Sequence, residues 1–361
     1  MATKQKITKD QGPINEILAL KTPPYPPSWL DRLNAWVELL AMPGFVFYVL
    51  FYLAVIVTQI AAGYITGYQS LDQDLTQVFL YQLFTLEALY YNYISYGLAL
   101  DALASFQSLL KTSKRQIQVL KYEFAILPAG KTLGLTVVTV AASIGLAYIS
   151  PTLFGTSVAI NAGYVFYQSL GWVFSLFGAV ILVYRLLHQI RRVSRIYELV
   201  NKVDLYNLGP IYSLSSFMGK ASLILLFILY SNLFSDPTNL GIAGFLQGSL
   251  AISIVALAGF VWPLLGINRR LVAEKAKLIQ ESGRQVRAAF ERLNKEQESR
   301  NLANMGNTRQ LLDAVIRKRE YIQNIPTWPW QPGTFRGLLL GVVLPILIWL
   351  VQQVLLRTVV K

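Results

Sequence analysis

Phe245-Leu-Gln-Gly-Ser-Leu-Ala-Ile-Ser-Ile-Val-Ala-Leu-Ala-Gly-Phe-Val-Trp-Pro-Leu-Leu-Gly266 is almost pure hydrocarbon, and Ile267-Asn-Arg-Arg270 follows it directly. An apolar stretch of 18 or more residues with almost no charge is long enough to cross a bilayer as a helix. The charges that follow mark where such a helix leaves the lipid. Beyond Gly266 the chain stays helical in pattern but changes solvent. Residues 268–305 are rich in helix formers, with Leu271, Leu278, Ile279, Val286, Ala289, Phe290 and Leu293 on one stripe and Lys, Arg, Glu and Gln elsewhere. Gly306-Asn307 reads as a turn. Residues 308–323 read as a returning helix with Leu311, Leu312, Val315, Ile316 and Ile322 on its stripe. Ile325-Pro-Thr-Trp-Pro-Trp-Gln-Pro-Gly333 then reads as a stiff elbow at the membrane surface, where Trp is favoured and Pro stops the preceding helix.

Working outward, the same criterion gives seven spans, near 43–66, 78–103, 130–150, 160–186, 212–234, 240–266 and 336–356. The first six pair as three hairpins and the seventh stands alone. The fold class is therefore expected to be all-α, a polytopic helical membrane bundle with a helical extension in the cytosol. Composition agrees: 54% of the 361 residues are hydrophobic and 14% charged, against about 25% charged in a soluble domain. Four Gly-xxx-Gly pairs, Gly63/Gly67, Gly130/Gly134, Gly244/Gly248 and Gly337/Gly341, suggest close helix packing.

The net charge of +13 raises the question of nucleic acid, and its distribution answers it. The loops near 68–77, 151–157 and 235–239 hold Asp72, Asp74 and Asp236 but no Lys or Arg. All but Arg357 and Lys361 of the 32 Lys and Arg fall on the opposite side or at span ends facing it. This is positive-inside asymmetry, which places the N-terminus in the cytosol and the C-terminus outside, and gives no reason to expect nucleic-acid binding. With no Cys, disulfides and thiolate sites are excluded. The absence of any Asn-x-Ser/Thr acceptor and of a cleavable leader fits a bacterial inner membrane.

The domain organisation expected is a cytosolic tail over 1–27, an interfacial amphipathic helix over 28–42 and a six-span bundle over 43–266. The helical segment with its elbow occupies 267–333, and the seventh span with the C-terminus 334–361. In the second unit, Trp29, Leu30, Leu33, Trp36, Val37 and Leu40 form an apolar face, and Asp31, Arg32, Asn34 and Glu38 the polar one. Such a helix lies in the interface or packs on the end of the bundle.

Ionisable groups inside spans are the first functional candidates, because burying them in lipid is costly. Glu87 sits near the middle of the second span beside Tyr91 and Asn92, and Lys220 lies well inside the fifth. Two arrangements suit them: a Glu87–Lys220 pair, or a protonated Glu87 in a polar cavity with Lys220 snorkelling to the headgroups. Asn161, Tyr164, Gln168 and Trp172, with Gln247, Ser249 and Ser253, either line a cavity or hold helices together. Pro345 removes the hydrogen bond to the Gly341 carbonyl, so Gly341 and Pro345 form a candidate hinge.

Enzyme signatures fail. His188 is the only His, so no His-based metal site or Ser/His triad assembles within the chain. Ala129-Gly-Lys-Thr132 imitates the end of a phosphate loop but opens a span rather than following a strand. No catalytic group, metal or cofactor is expected.

Pro27-Ser-Trp29, Tyr122-Glu-Phe-Ala-Ile-Leu-Pro128, Asn207-Leu-Gly-Pro-Ile-Tyr212 and Pro326-Thr-Trp-Pro-Trp330 together resemble phrases of a group of bacterial multi-pass membrane proteins of similar length. That resemblance covers most of the chain and implies no particular activity. In topology alone the chain is similar to insect chemoreceptor channels, whose cytosolic extensions join four subunits around a pore lined by the last span. The Thr-Tyr and Gln-Phe signature of that span is replaced here by Thr334-Phe335 and Gln352-Gln-Val354.

These readings converge on a non-enzymatic sensor or scaffold that couples a membrane bundle to a cytosolic helical platform and self-associates through 268–323. The alternative is a channel or small-solute transporter with a polar site around Glu87. The partner common to both is the lipid bilayer.

Overall fold

In a computed structural model, residues 12–68, 76–110, 112–153, 160–200, 203–235, 241–298 and 302–359 are described. They form twelve helices: α1 (Pro13–Leu18), α2 (Trp29–Glu38), α3 (Gly44–Thr66), α4 (Thr76–Phe106), α5 (Lys114–Ala125), α6 (Ala129–Leu153), α7 (Ala162–Glu198), α8 (Gly209–Ser235), α9 (Gly241–Val261), α10 (Leu265–Glu298), α11 (Leu302–Asn324) and α12 (Pro332–Val359). No strand occurs among the described residues; one isolated antiparallel bridge joins Pro27 to Pro128.

Six helical stretches are long and apolar enough to cross a membrane, in α3, α6, α7, α8, α9 continuing into α10, and α12. The protein is a polytopic all-α bundle. The remaining expected span, α4, has 31 residues, a length of about 46 Å, but falls short in hydropathy. Its position explains the deficit. Helix α4 packs against α3, α7 and α8, and Gln82, Thr85, Asn92 and Ser95 are buried against those neighbours. A helix enclosed by protein satisfies its polar groups there and has less need of an apolar surface.

The main apolar core lies toward the end that carries the basic segments. Leu103, Phe106, Phe124, Val193, Ile211, Phe217, Phe260 and Leu338 draw six helices, α4, α5, α7, α8, α9 and α12, into one cluster. Residues 262–264 form a 3-10 turn around Pro263, after which α10 carries the line of α9 out of the bundle. Helix α11 packs back along α10, and Lys318 Nζ donates to Gln285 Oε1 at 3.2 Å. The returning helix therefore covers much of the α10 stripe, leaving Phe290 and Leu311 exposed.

Several expectations change. Residues 12–18 are not part of a loose tail: α1 buries Ile14 and Ile17, while residues 1–11 lie outside the described part. Gly306 and Asn307 sit inside α11 rather than at a turn, because local turn preference yields to the packing of α11 on α10. Gly63/Gly67, Gly130/Gly134 and Gly337/Gly341 do not act as pairs within the chain, since at least one member of each has open space beside it, and Gly244 of the fourth pair lies outside the positions whose surroundings are described. Gly130, Gly134 and Gly337 have no neighbour near an added Cβ. Gly67 instead ends α3 with φ +74°, where glycine avoids the left-handed penalty. The loops at 69–75, 154–159 and 236–240 lie outside the described residues, as do Arg357's side chain and Lys361.

Helix α12 stands at the edge of the bundle, against α8 and α9. An added Cβ at Gly219 would collide with Thr334 Cγ2, and one at Gly341 would meet Leu223 Cδ2 at 2.8 Å. Gly219→Leu should therefore lower the thermal midpoint, with a cost of about 1–3 kcal/mol from overpacking. Gly134→Leu should leave it unchanged. Equal effects of the two, read by intrinsic tryptophan fluorescence on heating, would contradict the α8–α12 contact.

Candidate functional site: a buried ion-pair centre

Ser28 caps α2 through a capping box: its hydroxyl accepts from Asp31 N, and the Asp31 carboxylate accepts from Ser28 N. The preceding Pro26–Ser28 segment pairs with Leu127–Ala129, through Ser28 N to Leu127 O at 3.0 Å and Ala129 N to Pro26 O at 3.1 Å. The extended backbone that proline enforces is used to lock α2 beside the start of α6. This pairing turns the Asp31–Asn34 face of α2 inward.

Asp31 becomes a hub. Its Oδ2 accepts from Ser28 N at 3.1 Å, Ser28 Oγ at 2.6 Å and Leu127 N at 2.9 Å. Its Oδ1 accepts from the Tyr96 hydroxyl and forms an ion pair with Arg185 Nη2 at 3.2 Å, both side chains being 0% exposed. Arg185 Nη2 also donates to Asn92 Oδ1 at 2.8 Å and Tyr96 Oη at 2.7 Å, and Nη1 to the Ala125 carbonyl. The guanidinium lies 4.5 Å from the Tyr96 ring centroid, a cation–π distance. Asn34 donates to Asn92 Oδ1 and Tyr96 Oη and accepts from the Tyr48 hydroxyl. One turn along α7, Gln189 Oε1 accepts from Tyr91 at 3.1 Å. This centre joins α2, α3, α4, α7 and the α5–α6 link.

Arginine is well suited here, because its planar fork reaches several acceptors at once and stays charged. A buried ion pair is itself weak evidence of stability, since desolvation offsets the attraction. Arg185 Nε, Asn92 Nδ2 and Gln189 Nε2 are moreover buried without an acceptor among the described residues. What the centre supplies is register: five segments have one arrangement in which these charges are met.

A second tier extends α7's hold on α5. His188 Nε2 lies 2.7 Å from the Glu123 carbonyl, and Arg192 pairs with the Glu123 carboxylate. On α2, Glu38 accepts from Ile14 N, Asn15 N and Asn15 Nδ2 at 3.1–3.2 Å, fastening α1. Burial raises the Glu38 carboxyl above its ordinary range, while those donors pull it down.

The expected site residues separate. Tyr91 and Asn92 join the Arg185 centre. Glu87, half-buried, accepts from Ser231 Oγ on α8 at 2.6 Å. Lys220 is exposed and lies in a cleft with Asp101. No Glu87–Lys220 ion pair forms, because eleven residues of α8 separate Ser231 from Lys220, roughly 16 Å. Helix α2 also departs from simple amphipathicity: Asp31 and Asn34 are buried while Trp29 and Trp36 are 40% and 51% exposed. Asn161 caps α7 through Tyr164 N; Ser253 donates to Ser249 O and contacts Tyr230. At the candidate hinge, α12 is continuous through Pro345, and Tyr230 Oη lies 3.4 Å from the Val342 carbonyl.

Arg185 and Asp31 were not distinguished in the sequence, where Arg185 counts with the basic run that follows. The available signal was an arginine six residues ahead of Arg191-Arg192, still inside an apolar stretch. Comparison with protein-family models, with curated proteins and with solved structures found no match.

Removing one partner strands the other charge in a dry site, at about 3–5 kcal/mol. Arg185→Met and Asp31→Leu should each unfold the bundle at markedly lower temperature, and the double variant should cost less than their sum. Strictly additive losses in a denaturation cycle would contradict the pair.

Proposed function

We propose that this multi-pass membrane protein is a non-enzymatic scaffold or sensor that couples its membrane bundle to a projecting helical hairpin. The observation that carries this reading is the clamp where α9 passes into α10. Arg270 Nη1 donates to the carbonyls of Tyr197, Glu198 and Val200 at the end of α7. Asn268 Nδ2 donates to the Thr327 carbonyl in the elbow at 3.0 Å. Lys275 Nζ donates to the Gln323 and Ile325 carbonyls at 2.7 Å, closing the end of α11. Trp330 lies against Phe260 and Phe335. One rod is thus tied to α7, to the returning helix and to the entry of α12.

Helix α7 also carries Arg185. A shift of α7 relative to α2 or α4 therefore has a rigid route into α10, and the hairpin is the part free to report it. In the orientation the charge asymmetry implies, the hairpin and N-terminus face the cytosol of a bacterial cell and the C-terminus lies outside. Self-association through 268–323 belongs to the same reading, with Phe290 and Leu311 as its apolar contacts. The register set by Lys318 and Gln285 puts these two near the same level of the hairpin.

The half-buried Glu87 favours the second reading, a channel or small-solute transporter. Because the chain has no Cys, single-cysteine variants separate the two without background. In the scaffold, introduced cysteines at mid-depth of α4, α8 and α12 stay unlabelled by a membrane-impermeant maleimide. A labelled stripe reaching Glu87 would establish an aqueous path and overturn the scaffold. For coupling, spin labels at Arg191→Cys and Asn294→Cys should give a narrow distance distribution that broadens in Arg270→Ala. An unchanged distribution would contradict the clamp.

A further inference from the structure

The seam between α4 and α8 carries polar groups at two levels. At the first, Glu87 accepts from Ser231. Eleven residues along α4 and eleven back along α8, a cleft of about 180 Å³ opens at the surface, lined by Leu98, Asp101, Ser105, Ser213, Ser216 and Lys220. Asp101 and Lys220 are both exposed, face the same small cleft and do not form an ion pair; the ion pairs among the described residues lie elsewhere. Two of the cleft's three serines are already engaged: Ser213 Oγ donates to Ala102 O and Pro210 O, and Ser105 Oγ to Asp101 O, while Ser216 adds a hydroxyl to the lining. The two charges are its strongest recognition elements, with Ser216 beside them.

Lys220 belongs to an apolar stretch long enough to cross a membrane, so the cleft opens sideways, toward lipid, near the basic end of the bundle. Opposite charges held apart in such a place suit a ligand that carries both signs a few bonds apart. We propose that this cleft binds a phospholipid whose headgroup is a phosphate joined to a primary ammonium. Lys220 takes the phosphate as a strongly hydrated point charge at the end of a flexible stem. Asp101 accepts hydrogen bonds from the ammonium, and the acyl chains lie against the apolar flank of α4 and α8. The three N–H donors of a primary ammonium matter, because a trimethylated ammonium offers Asp101 charge without a donor. An anionic glycerol headgroup offers Lys220 its phosphate but brings nothing for Asp101.

The test uses the full chain in nanodiscs containing equal parts phosphatidylethanolamine, phosphatidylcholine and phosphatidylglycerol, with retained lipid read by native mass spectrometry. The phosphatidylethanolamine adduct should dominate. Asp101→Asn should reduce it about tenfold, the scale of one charge-assisted hydrogen bond, and leave phosphatidylglycerol retention unchanged. Lys220→Met should reduce both. Asp101→Glu should restore the preference, which separates recognition from damage to the fold. Equal retention of the three lipids, or an undiminished phosphatidylethanolamine adduct in Asp101→Asn, would overturn the proposal. Displacement of the lipid by soluble glycerophosphoethanolamine at matching concentration would overturn a membrane source for the headgroup.

Discussion

A guanidinium withdrawn completely from water has to be met by an anion and by enough acceptors to replace its hydration. Arg185 imposes that condition on this bundle, and the surrounding structure follows from it. Asp31 must come inward, so α2 cannot simply lie on its apolar face. Ser28 must sit where it caps α2 and shares the carboxylate, so the proline segment before it runs beside Leu127–Ala129. Tyr96 and Asn92 must face α7, which fixes the rotation of α4. The same helix holds α5 through His188 and Arg192 and receives Arg270 of α10 at its end. Helix α7 thus touches both the buried ion-pair centre and the base of the hairpin, whose α10 also continues directly from α9.

Much of the architecture was legible because the bilayer simplifies the physics. Six of seven expected spans correspond to helices long and apolar enough to cross, since lipid selects directly for length and hydropathy. The Pro326–Pro332 elbow was legible for a similar reason: proline and tryptophan act locally. What failed was local evidence overruled by packing. Gly306-Asn307 has the composition of a turn, yet α10 offers a surface along which helix is the better state. Residues 12–18 look like the end of a tail, but Ile14 and Ile17 find a buried site beside α2.

The site was only half legible. Tyr91 and Asn92 stood out as polar groups in a span and do belong to the buried centre. Glu87 and Lys220 stood out for the same reason and do not meet, because they sit on the α4–α8 seam at levels about 16 Å apart, a difference that counting residues from approximate span ends does not resolve. Arg185 and Asp31 escaped notice because each has an ordinary role in one dimension. An arginine near a span's basic end reads as interfacial, and an aspartate four residues into an amphipathic helix reads as its wet face. Only the pairing of 26–28 with 127–129, across about a hundred residues, brings the two charges together. Sequence periodicity carries no information on that contact.

The most direct measurement of the central claim is hydrogen–deuterium exchange of the reconstituted protein, wild type against Arg185→Met. If Arg185 sets the register of the bundle, residues 28–38 and 125–129 lose protection together, while α9 and α12 keep theirs. Full protection retained at residues 28–38 in the variant would show that α2 is held by its apolar contacts alone, and would contradict the account.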